Sequence, residues 1–112
     1  MATLTEEEFS RHLNTRFDLT FGDEQLQLQL VNVKPYLPQP NEHAGMERFS
    51  VYFQGPLDKH LPQRMYRMTH EQMGEMEIFL VPIEKNEQGF RYEAVFNYFK
   101  SEPPAVAGEP KR

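Results

Sequence analysis

The residues able to carry chemistry in this 112-residue chain are few and widely spaced. Its histidines are His12, His43, His60 and His70. No two of them stand at the HxH or HxxxH spacing that brings two imidazoles to one metal. His70 is singled out because it falls in phase with Tyr66 and Met68 and precedes Glu71. It is a candidate ligand or base; the simpler reading is a hydrogen-bonded side chain that closes a turn. Glu75 and Glu77 sit two apart, on one strand face, with Glu93 a candidate neighbour on another strand. Carboxylates roughly 5–9 Å apart do glycosidase work. A solvated face with Lys85 or Arg91 paired across strands looks the same in sequence. Ser10, Ser50 and Ser101 lie in no GxSxG or SxxK setting, and the glycines form no phosphate-cradling loop. No catalytic residue, cofactor or metal is therefore assigned. Tyr66, His70, Glu77 and Arg91 form a candidate polar pocket, provided that folding gathers them within about 6 Å of one concave site.

The elements that must position these residues are mostly strands. Thr5 to Leu13 predicts a short helix, with Thr5 as N-cap, Glu8 placed to complete a capping box, and Phe9 and Leu13 on one face. RFDLTF (16–21) and QLQLQLVNV (25–33) alternate apolar with polar residues and predict a hairpin across Gly22-Asp23. A helix would smear Leu26, Leu28 and Leu30 around its circumference; a strand puts them on one face. Residues 34–47 hold Pro35, Pro38 and Pro40 and predict a long loop, functional or loose. In RFSVYFQGPLD (48–58), Phe49, Val51 and Phe53 again alternate. VYFQG looks like the site a viral protease cuts in expression tags, but it lies mid-chain and in phase with a core, so it reads as native. Strands follow at 64–70, 75–83 and 90–99, with KNEQG (85–89) as a hairpin loop. The expected fold is mainly β: one antiparallel barrel or sandwich of about six strands over residues 1–100, with a short N-terminal helix. The tail, 101–112, has three prolines and is expected to be disordered.

Several of these strands are apolar on both faces. Tyr52, Phe79, Val81 and Val95 lie opposite the main apolar stripe, where a one-sided sheet should be polar. Either the helix at Phe9 and Leu13 covers them, which is the favoured explanation, or they form an exposed interface. Met65, Met68, Met73 and Met76 gather around the turn at 71–74 as adaptable core filler or a binding surface.

Composition narrows the function classes. Twelve basic against 17 acidic side chains leave a net charge of −5, and the basic residues are scattered, so nucleic acid is not an expected partner. The start MATLTEEEFS has no basic, apolar signal, and no run approaches the ~20 apolar residues of a spanning helix. With no cysteine in the chain, a cytoplasmic location is expected.

The segments FSVYFQGP, LPQRMYRMTH, GEMEIFLVPI and RYEAVFN resemble the pattern of a small bacterial domain family of unknown function, the DUF6916 type, over roughly Leu4 to Asn97. The resemblance implies no catalytic residue. It carries an association with phage-tail-like gene neighbourhoods, and this chain departs from the family pattern in having Arg64 and Met65 where glycine is frequent. The expected function is a non-catalytic interaction or assembly module, for which the resemblance implies an accessory role in a phage-tail-like system. It would act through the second apolar face and the loop at 35–45, with a protein partner or a second copy as homodimer. The alternative is a small-molecule-binding barrel or minor enzyme using the polar pocket at the barrel mouth.

Overall fold

Alternation in the sequence becomes alternation of burial. Phe17, Leu19, Leu26, Leu28, Leu30, Phe49, Val51 and Phe53 are buried, and the polar residues between them face outward, Ser50 among them although it too is buried. The computed structural model describes residues 4–36, 46–99 and 106–107. Its elements are α1 (Glu6–Ser10), β1 (Arg16–Phe21), β2 (Glu24–Pro35), β3 (Met46–Gln54), β4 (Arg64–His70), β5 (Gly74–Asn86), β6 (Gly89–Phe99) and β7 (Val106–Ala107). The strands form one sheet in the order β4-β1-β2-β3-β6-β5, and β5 pairs back onto β4, so six antiparallel strands close into a ring.

Closure depends on the length of β5. Its first half, Gly74 to Leu80, pairs with β4, and its second half, Val81 to Asn86, pairs with β6. The turn into β6 is tighter than the loop expected at 85–89: the Asn86 side chain accepts from the amides of Gln88 and Gly89. Gly89 has φ +145°, and a Cβ there would lie 2.1 Å from the Gly55 carbonyl oxygen. FQGP is thus a structural part of the ring, with Gly55 N–H donating to the Phe90 carbonyl at 2.8 Å. β2 runs on to Pro35, through a register shift between Leu30 and Asn32 that leaves Val31 without a cross-strand partner. The loop expected at 34–47 is correspondingly shorter, and residues 37–45 lie outside the described residues.

Aromatic rings fill the interior. Phe49 and Phe96, register partners on β3 and β6, stack at 4.6 Å, and Phe17 meets Phe53 edge-on at 5.2 Å. Toward the other end, the fully buried Tyr92 accepts from the Leu61 amide at 2.9 Å, and Tyr66 donates to the Pro62 carbonyl. Met68, Met73 and Met76 belong to this core.

The helix corrects one expectation. Phe9 is fully buried against Phe17, Phe49 and Phe96, which all point inside the ring. The helix therefore stoppers one end of the ring and is not the cover of the outer face, while Leu13 is exposed. The reason is local. The helix stops at Ser10, a turn follows, and Asn14 at φ 67° redirects the chain into β1 with its amide on Leu30 O. Only half of the capping box forms: Glu8 N–H donates to Thr5 Oγ1, but the Glu8 carboxylate turns to Arg11. In the tail, Val106–Ala107 forms β7, parallel to β5 at Glu77 and Ile78; the rest of the tail expected to be disordered lies outside the described residues.

Phe9→Ala tests the stopper. It is expected to lower the unfolding free energy in urea by about 3 kcal/mol, the usual cost of truncating a buried aromatic. A loss under about 1 kcal/mol would show that Phe9 is peripheral to the core.

Candidate functional site

Outside the ring, register decides which side chains meet. Tyr52 pairs with Glu93, Val81 also pairs with Glu93, and Ser50 pairs with Val95. Facing residues of antiparallel strands project to the same side, so Glu93 stands between a tyrosine and a valine on the outer face. A carboxylate there needs donors. Its Oε2 accepts from Ser50 Oγ at 2.8 Å, Tyr52 Oη at 3.1 Å and Tyr36 Oη at 3.4 Å. Ser50 is fully buried, and its hydroxyl also contacts the Tyr36 hydroxyl at 2.8 Å. Burial, and then the Glu93 carboxylate, raise the Tyr52 pKa above that of an ordinary phenol. The Tyr52 hydroxyl therefore stays protonated and serves as a donor. The Arg91 guanidinium lies 5.9 Å from the Tyr52 ring centre and reaches Glu84 at 3.4 Å.

Beside this polar cluster lie the apolar candidates. Tyr52, Phe79 and Val81 are half-buried; Val95 is 45% exposed, and Ile83, further along β5, is 44% exposed. Met65, the register partner of Phe79 on β4, extends the apolar surface.

His70 sits at the junction of α1, β1 and the β4–β5 turn. Its Nδ1 accepts from the amides of Gln72 and Met73, both at 3.1 Å, which places the proton on Nε2. Nε2 then donates to Thr15 Oγ1 at 2.9 Å, and Thr15 donates to the His12 carbonyl. The His12 and His70 rings lie 4.6 Å apart. A depression of about 430 Å³ opens beside them, lined by Arg16, Asp18, Thr69 and Glu71 among others. Both imidazole nitrogens are already engaged, so His70 closes the turn and is neither a free base nor a free ligand. Burial and the neighbouring His12 lower its pKa, against the opposing pull of Glu71 and Asp18.

The sequence model of the DUF6916 family, a domain of unknown function, matches residues 4–96. The chain belongs to the DUF6916 family. No curated protein and no solved structure matches it.

The DUF6916 domain does not gather the candidate polar pocket. Tyr66 points inward to Pro62 and has its pKa pushed up to about 12 by burial. His70 is engaged at the Thr15 junction, Glu77 pairs outside the ring with Arg67 at 3.5 Å, and Arg91 pairs with Glu84. The four residues serve four separate places. Glu93 does not join the other carboxylates: Glu75 and Glu77 share the outer face of β5, opposite Thr69 and Arg67, whereas Glu93 faces Tyr52 and Val81. Among the described residues, no cluster of His, Asp and Glu is arranged to hold a metal, and no helix is long and apolar enough to cross a membrane. The cluster of Tyr36, Ser50 and Glu93 was not foreseen. Its one local sign was a small polar residue, Ser50, in outward phase between Phe49 and Val51.

The lowered His70 pKa predicts a pH dependence of the DUF6916 domain. The unfolded chain takes up this proton near the ordinary histidine value of about 6.5, before the folded one does. The His70 contribution to stability is thus full above 6.5 and is lost as pH falls through the lower folded value. Wild type should lose more stability in urea between pH 7.5 and 5.5 than His70→Gln. Equal losses would show that His70 does not titrate differently on folding.

Proposed function

We propose that this domain is a non-catalytic protein-interaction module that docks through the outer face of β5 and β6. One observation carries the reading: Phe79, Val81, Ile83 and Val95 stand on the outer face, while the helix expected to cover them is spent inside the ring. The interior offers a ligand little room, because the side chains along its axis are fully buried against one another. Beside the patch, the hydroxyl–carboxylate cluster holds β2, β3 and β6 together from outside, giving a rigid platform for an apolar contact. Association of two copies through this face is the simplest form of the module. An accessory role in a phage-tail-like assembly is a setting suggested by the family resemblance, and a cytoplasmic location accords with the lack of cysteine.

Light scattering at tens to hundreds of micromolar tests the proposal. Wild type is expected to self-associate, and Phe79→Asp to be monomeric with an unchanged far-UV spectrum. A wild type that stays monomeric throughout that range would remove self-association from the proposal.

A further inference from the structure

The ring has a seam. β5 pairs with β4 along one edge from Gly74 to Leu80, and with β6 along the other edge only from Val81 onward. β6 pairs with β3 from Arg91 to Phe99, but its residues Ala94 to Phe99 have no pairing with β5. Continued unbroken, the β5–β6 register would set Phe79 opposite Val95 and Ile78 opposite Phe96. Instead the strands part, and the described residue pairs in that gap are Glu77 with Val106 and Ile78 with Ala107. Among the described residues, the seven of this β5 edge, Gly74 to Leu80, thus meet two residues of β7. Exposed strand edges are templates for another strand, because each unpaired amide and carbonyl seeks a partner.

We propose that this seam is a strand-acceptor site for an extended segment of another protein, with β7 as its resident occupant. The proposal rests on the interaction-module reading and names the kind of partner. β7 shows the direction of entry, parallel to β5. The surrounding side chains set the composition. Ile78 and Phe96 are buried on the inner side of the seam, so inward residues of the guest should be apolar. On the outer side, β5 offers the carboxylates of Glu75 and Glu77 and the ring of Phe79, so outward residues should be basic, with aliphatic stems that pack on the ring. Main-chain hydrogen bonds would supply affinity, and the alternating side chains selectivity. The tail competes as a tethered ligand, whose effective concentration is on the order of millimolar. A partner displaces the resident strand by pairing over a longer stretch of the β5 edge.

The probe is a synthetic heptapeptide alternating lysine and valine, with a control in which the central valine is proline. Titration into the full-length chain, followed by amide NMR shifts, should perturb Glu77, Ile78 and Phe79 on β5 and Val95 to Asn97 on β6. Ala107→Pro, which weakens the resident strand, should bind the peptide about ten-fold more tightly than wild type. Val106→Gly gives the same comparison should the proline variant fail to fold. Equal binding of the proline control would show attraction by charge alone and overturn the proposal, as would shifts confined to other strands or equal affinity in wild type and variant. Self-association of Ala107→Pro that the peptide does not reverse would assign the seam to a second copy and overturn it too. Peptide binding by a chain that remains monomeric would keep the seam and remove outer-face self-association. Loss of association in Phe79→Asp without peptide binding would do the reverse.

Discussion

An antiparallel sheet of six strands has two edges, and each edge is a row of amides and carbonyls in need of partners. This domain meets that need with a single strand. β5 is thirteen residues long, enough to lie against β4 for its first half and against β6 for its second. Closure of the ring, and with it the burial of the phenylalanines inside, depends on that shared strand. The same economy leaves the two strands unzipped where β5 has turned toward β4, and β7 meets part of that opening.

The filled interior and the engaged outer face divide the labour. Inside, close contacts among Phe9, Phe17, Phe49, Phe53 and Phe96 leave no polar lumen. Outside, a carboxylate stands among apolar neighbours because three hydroxyls, two from β3 and one from the residue after β2, converge on it. Hydrogen bonds to charged groups are stronger than neutral ones, so this cluster ties β2, β3 and β6 together independently of the core. Chemistry placed on such a scaffold is the chemistry of contact. His70, Glu77 and Glu93 are each engaged with a structural partner, His70 with the turn at Gln72 and Met73.

Period-two patterns made the strands legible. Leu26, Leu28 and Leu30, or Tyr92, Ala94, Phe96 and Tyr98, could face one way only in a strand, and each set is buried. The double-sided character of β5 and β6 was legible for the same reason. What alternation does not contain is the identity of neighbours. Phe9 and Leu13 share a helical face in the sequence, but the helix ends at Ser10 and Phe9 alone enters the core. Tyr36, Ser50 and Glu93 come together from β2's end, β3 and β6 through pairings set by ring closure. Local pattern likewise could not show that Tyr66, His70, Glu77 and Arg91 occupy different sides and ends of the ring.

The unpaired Val31 has an influence out of proportion to its size. By strict alternation from Leu30, the next inward positions would be Asn32, Lys34 and Tyr36; the extra residue instead turns Val33 toward the core and frees the Tyr36 hydroxyl to reach Ser50 and Glu93. Val31 acts as a parity bit for the end of β2. Were Val31 paired rather than bulged, the same composition would aim the Lys34 ammonium group at the phenylalanines and withdraw a phenol from the carboxylate outside. The outer cluster therefore owes its membership to a spacing rather than to any one side chain's affinity.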